Sequence, residues 1–160
     1  MELDIFPWLK PHIDRLAGQI DRGMLPHAML ISGPASIGKN LLMQYMQRRL
    51  LCASENQACG KCHQCKLLKA GTHPDYRLIT VEDKKQIVID QIRSMVEWVS
   101  QTSQQGGHKV CVIKPAHSMT IQASNSLLKF LEEPPEATRI ILISDAPNRM
   151  LPTIRSRCQH

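Results

Sequence analysis

"HAMLISGPASIGKN" (residues 27–40) decides how this chain is read. Residues 27–32 are a short, mainly apolar run that leads straight into glycine, as a buried strand does before a tight turn. Residues 33–40, "GPASIGKN", follow G-x-x-x-x-G-K-[ST] everywhere but at the end. Gly33, Gly38 and Lys39 are in place, and Asn40 stands where a hydroxyl would hold magnesium. "KNLLMQYMQRRLLC" (39–52) then carries Leu41, Leu42, Tyr45, Met46 and Leu50 along one side, which is helical spacing. Strand, glycine loop and helix together are the context of a phosphate-binding loop. Glycines let backbone N–H groups close around phosphate, and the helix N-terminus adds positive potential.

The chemistry departs from that pattern. An amide oxygen at Asn40 is a poor ligand for Mg²⁺, which favours carboxylate, hydroxyl, water and phosphate oxygens. A working site also needs acids at the end of a second strand. That strand is "KVCVI" (109–113), and Lys114-Pro115-Ala116-His117 follows it where acids are expected at 114 and 115. No Asp or Glu occurs between Lys109 and Leu131. The expectation is a degenerate loop that holds no functional ATP or Mg²⁺, with at most a weakly bound phosphate or sulfate at Lys39 and the helix N-terminus.

Outward from the loop, elements alternate. "PHIDRLAGQIDRG" (11–23) is an amphipathic helix stopped at Gly23. A short helix ends near Gly71, "YRLIT" (76–80) reads as a strand, and "VIDQIRSMVEWVSQT" (88–102) as a helix. "KVCVI" and "RIILIS" (139–144) are continuous apolar runs, the type buried on both sheet faces. "TIQASNSLLKFLEE" (120–133) is helical and ends at Pro134-Pro135. A short helix is expected around Thr153–Arg155, and "SRCQH" at the end reads as the start of another strand. Alternation of this kind predicts an α/β fold, a parallel sheet with helices on both faces.

Four of the six cysteines cluster. Cys59, Cys62 and Cys65 form C-x2-C-x2-C, and Cys52 lies seven positions earlier. Four thiolates close a tetrahedral zinc shell with no open position, a structural Zn²⁺ site that would pin a small module at 52–65. A ferredoxin-type cluster would want a cysteine at 69, where Lys69 sits; His63 is an alternative ligand inside the run. Cys111 lies within a predicted buried strand and Cys158 begins another, so both read as core rather than as ligands.

Composition narrows the classes. With 42% hydrophobic and 21% charged residues, the 160-residue chain is long enough for one globular domain. The formal charge of +6 favours acidic partners without fixing one. Aromatics are 4% and not interleaved with the basic residues, which argues against a dedicated nucleic-acid-binding module. "MELDIFPWLKPH" lacks the apolar core of a signal peptide, and no apolar run approaches the roughly 20 residues that span a membrane. A cytoplasmic protein without a membrane partner is expected, its thiols reduced or on metal.

"NSLLKFLEEPP" (125–135) and "LPTIRSRC" (151–158), with the glycine loop and the four cysteines, resemble the delta-prime subunits of the bacterial DNA polymerase III clamp loader. The resemblance spans essentially the whole chain and corresponds to the first domain of those subunits. It implies an AAA+-type domain over 1–160 with a five-stranded parallel sheet and the small zinc module, and lid and collar domains beyond residue 160. Motor subunits of the same loader resemble G-x-x-G-x-G-K-[ST] followed by an Asp-Glu pair. This chain has Ser36 for the inner glycine, Asn40 for the hydroxyl and Lys114-Pro115 for the acids, departures that resemble delta-prime.

The implied role is a non-catalytic subunit of a hetero-oligomeric ring with motor and delta subunits, loading the sliding clamp on primed DNA during DNA replication. It would be a component of the holoenzyme that, as a complex, is a DNA-directed DNA polymerase. The alternative is an ATP-hydrolysing motor subunit. Arg157 in "SRC" matches the trans-acting arginine of the family and is expected to reach a neighbour's ATP site, with Arg155 at the surface or in packing. Glu132 and Glu133 lie near a helix C-terminus, where the dipole disfavours acids, which points to a contact elsewhere. Lys129 reads as a solvated charge.

Overall fold

The computed structural model describes residues 6–54, 58–82, 85–105 and 107–160. Its sheet is built from β1 (Ala28–Ser32), β2 (Tyr76–Ile79), β3 (Lys109–Ile113) and β4 (Thr138–Ser144). The order across the sheet is β1-β4-β3-β2, and every pairing is parallel. The apolar runs at 109–113 and 140–143 take the two central positions, where both faces need covering.

Side-chain alternation sorts each strand between two cores. Met29, Ile31, Val110, Val112, Ile141 and Ile143 pack with α1 (Lys10–Asp21) and α2 (Lys39–Leu51). Ala28, Leu30, Cys111, Ile113, Ile140 and Leu142 face the opposite layer. That layer holds α4 (Ile89–Ser100), α5 (Ile121–Glu132) and α6 (Pro152–Arg157). The remaining α3 (His63–Ala70) leads from the cysteines toward β2. Helices therefore cover both faces, as the alternation predicts. Cys111 and Cys158 are core residues, and burial pushes their thiols up to about 12 and about 11.

Two expectations are corrected. The sheet has four strands among the described residues, not five. The "SRCQH" segment supplies a single parallel bridge, Gln159 to Met29, along the free edge of β1. Leu30 N–H donates to Gln159 O (2.8 Å) and Gln159 N–H to Ala28 O (3.1 Å), and one bridged residue is too little for a ladder. The second correction concerns α6, which runs through Arg157 rather than ending at Arg155. Pro152 at its start presets helical φ, and Ile154, fully buried, holds the turn against α5.

Candidate functional site

Parallel strands bring all their C-terminal ends to one edge, and the glycine loop lies there, between β1 and α2. Gly33 (φ +148°) and Gly38 (φ +100°) use backbone conformations that side chains rarely adopt. A Cβ on Gly38 would meet Leu9 Cδ1 at 2.7 Å. Ser36 takes the left-handed conformation as well, at φ +64°. Its backbone thus keeps the turn a glycine would make, at some cost in strain, so the loop departs from the motor pattern in chemistry more than in shape.

The side chains at the positions that would hold phosphate and metal, Lys39, Asn40 and Lys114, each have a protein partner. Lys39 Nζ is 2.5 Å from Asp145 Oδ1 and donates to Gly33 O (2.9 Å) and Pro34 O. An ammonium has three protons, and these are three acceptors. Lys39 is 6% exposed, so those partners replace its hydration. Lys114 Nζ donates to Asn40 Oδ1 at 2.7 Å. His117, after β3, has its Nδ1 3.0 Å from Oγ of Ser144, the last residue of β4, and burial, helped by Arg149, pushes the imidazole below its usual range. At the mouth, Phe6 stacks on Trp8 with ring centroids 4.7 Å apart, and Trp8 Nε1 donates to Ile37 O at 3.0 Å. A cleft of about 370 Å³ remains between Phe6, Ser36, Asn40, Lys114 and Asp145.

Asp145 is the residue that sequence reasoning missed here. It follows β4, and the β1–β4 pairing is what sets it against the loop. Strand order was the one signal able to find it.

The cysteines begin at the other end of α2, about 20 Å from the loop along the helix axis at 1.5 Å per residue. Cys52 caps α2 and Cys62 caps α3, with Cys59 and Cys65 between and just inside. Residues 55–57 of the expected module lie outside the described residues. The four Sγ atoms lie within 4.8 Å of one another, with Cys52 Sγ 3.5 Å from Cys59 Sγ and 3.9 Å from Cys62 Sγ. A zinc–sulfur bond of about 2.3 Å gives tetrahedral edges of roughly 3.8 Å, so the cluster fits a zinc ion.

Backbone N–H groups of Ser54 and Cys59 donate to Cys52 Sγ, that of Cys62 to Cys59 Sγ, and that of Cys65 to Cys62 Sγ, each at 3.4 Å. Such donors favour thiolates. The Ser54 hydroxyl and the N–H groups of Lys61 and Cys62 hold the Cys59 thiol down to about 5. Burial pushes Cys65 up to about 12. These four residues could hold a metal ion.

Arg157 belongs to neither place. As the last residue of α6, it donates from Nη2 to Glu132 Oε1 (3.0 Å) and from Nη1 to Thr153 O (3.2 Å). The "SRC" and "LEEPP" stretches thus meet in one ion pair, and Glu132 finds the contact its place against the helix dipole implies. Arg155 lies about 200° around the same helix and reaches Asn148 Oδ1 at 3.5 Å. Lys129 is exposed.

No described helix is long and apolar enough to cross a membrane. A family model described as "DNA polymerase III, delta subunit" matches residues 8–160. The chain is 47% identical to the DNA polymerase III subunit delta' of Pseudomonas aeruginosa, over 97% of this chain and 47% of that protein. It is 38% identical to the subunit of the same name from Escherichia coli, over 96% and 47% of the respective lengths. It therefore spans about half the length of the curated relatives it matches. A DNA polymerase III gamma subunit-related protein from Thermotoga maritima superposes with a TM-score of 0.62 at 22% identity, over 91% of this chain and 43% of that one. That likeness shows a shared fold.

Proposed function

The chain belongs to the family described as DNA polymerase III, delta subunit, and from that premise we propose that it is the first domain of a non-catalytic clamp-loader subunit of the delta-prime type. The full subunit, with lid and collar domains, would join motor and delta subunits in a hetero-oligomeric ring in the cytoplasm. As part of the polymerase III holoenzyme, that ring would place the sliding clamp on primed DNA. Its own loop would neither bind Mg·ATP nor hydrolyse it.

The observation that carries this reading is the Lys114–Asn40 hydrogen bond at 2.7 Å. In a working loop these two positions supply a carboxylate and a hydroxyl to the metal. A cation bonded to an amide there repels Mg²⁺ and leaves nothing to orient water. The same bond weighs against a motor subunit.

The loop would then be a rigid platform, and Zn²⁺ on Cys52, Cys59, Cys62 and Cys65 a structural staple for the segment between α2 and α3. Catalytic involvement would come from Arg157, supplied to a neighbour's ATP. Charge develops on the γ-phosphate during transfer, and an arginine from another chain stabilises it by a factor of about 10³–10⁵ in GTPases. Guanidinium suits the task because it stays charged and offers a planar fork of donors.

The test uses the full-length subunit in a reconstituted loader. Arg157→Ala should lower the clamp- and DNA-stimulated ATPase while assembly and zinc content stay intact, and Arg155→Ala should leave the rate near wild type. Loss of ATPase with Arg155→Ala and not with Arg157→Ala would overturn the assignment. ATP binding by this subunit alone that strengthens with Mg²⁺ would overturn the non-catalytic reading.

A further inference from the structure

We propose that Glu132 is a positioning residue for Arg157, holding its guanidinium in the geometry in which a neighbouring chain's nucleotide meets it. The inference rests on reading Arg157 as the arginine supplied in trans, and it assigns to "LEEPP" a part in the same chemistry as "SRC".

The argument begins with an oddity of placement. Glu132 is the last residue of α5, where the helix carbonyls make a carboxylate unfavourable. Its observed compensation is Arg157 Nη2, 3.0 Å from Oε1. The pair is rooted at both ends in the core. Leu131, beside Glu132, is 3% exposed, and Cys158, beside Arg157, is 7% exposed. Both belong to the cluster in which Ile154 fixes α6 against α5. The Cα positions of the two charged residues are therefore set by packing, and the freedom left to them is in their side chains.

Two contacts remove most of that freedom for Arg157. Nη2 is held from α5 by Glu132, and Nη1 from its own helix by Thr153 O. A guanidinium carries five N–H donors, so three stay unspent, and the side chain remains 39% exposed. This is a restrained cation with donors in reserve. A long side chain left unrestrained would lose its rotamer freedom on meeting phosphate, and the loss would appear as a slower chemical step. Glu132 never touches the nucleotide in this scheme and acts through Arg157.

The experiment is a double-mutant cycle in the full-length subunit, read as kcat and KM for ATP in the reconstituted, clamp- and DNA-stimulated loader. Glu132→Gln keeps the size of a half-exposed side chain and removes its charge, so folding, assembly and zinc content should be unchanged. The expected result is a fall in kcat of about three- to tenfold with KM unaltered, since a misdirected group weakens the transition state without weakening nucleotide binding. Glu132→Asp should restore part of the loss. In an Arg157→Ala background, Glu132→Gln should have no further effect.

Multiplicative losses in the double variant would overturn the proposal, because Glu132 would then act by another route. Unchanged or raised kcat with Glu132→Gln, alongside a slow Arg157→Ala, would also overturn it and leave the trans-arginine reading standing. A normal rate with Arg157→Ala would remove that reading and this inference together.

Discussion

Lys114 Nζ, at the end of β3, donates to Asn40 Oδ1, in the first turn of α2, over 2.7 Å. The two residues satisfy each other where a metal-binding loop would place a carboxylate and a hydroxyl around a cation. The substitutions are coupled: the ammonium needs an acceptor, and the amide oxygen supplies one. Restoring one member of the pair therefore does not restore the site. The full-length protein should show no Mg²⁺-strengthened ATP binding by calorimetry, and Asn40→Thr alone should not create any. Micromolar, Mg²⁺-dependent binding in either protein would refute this.

Lys39→Ala should behave as a stability mutation. It strips Asp145 of its partner and leaves the carbonyls of Gly33 and Pro34 without their donor. Loss of charged, largely buried hydrogen bonds costs about 1–3 kcal/mol, so the urea midpoint should fall. The reconstituted loader ATPase should stay near wild type once the variant is assembled. A motor-type site would give the opposite pair of results.

Elemental analysis should find close to one zinc per chain. Cys62→Ala should release it, because Cys62 links the two halves of the cluster: its N–H donates to Cys59 Sγ and its own Sγ accepts from Cys65 N–H. A strong chelator should lower the thermal midpoint of the wild type and leave that of Cys62→Ala unchanged. Iron–sulfur absorbance in the visible would identify a different metal.

Acid should destabilise the fold in two stages. Burial pushes His73, His108 and His117 below the ordinary histidine range. Below the unfolded value of about 6.5, the unfolded chain takes up protons that the folded chain refuses, so stability falls as pH drops from there. Burial raises the Asp75 carboxyl, but hydrogen bonds from Gln104 N–H, Ser103 O–H and Gln105 N–H outweigh it and bring the group below its usual range. Its contribution is present above the unfolded value of about 3.9 and is lost as pH falls through the lower folded value. Chemical denaturation from pH 8 to pH 3 should trace both limbs, and Asp75→Asn should flatten the lower one.

Much of the local structure was legible in the sequence. β1, the glycine loop and α2 are contiguous, so period and composition report on them directly. The apolar runs of β3 and β4 declare themselves because central parallel strands are buried on both faces. The cysteines declare themselves through spacing, since ligands a few residues apart along the chain are readily folded around one metal ion. The end of α6 was less legible. Arg157 belongs to the helix because Ile154 is buried against α5, a contact no local propensity contains. The fifth strand reduced to one bridge for a related reason: a strand exists by its partners, and Gln159 alone pairs with Met29.

Local sequence was enough to place the helices and the four ladder strands, the loop that could cradle phosphate, the ligands that loop lacks, and the four thiols that could gather. Each is a property of residues close together in the chain. Tertiary structure decided what stands in for the missing chemistry. Lys114 meets Asn40 across 74 residues, Asp145 meets Lys39 because β4 lies beside β1, and Glu132 meets Arg157 because α6 packs on α5. In a parallel sheet, spatial neighbours are separated by whole crossovers, and the strand order that joins them is set by packing two cores at once.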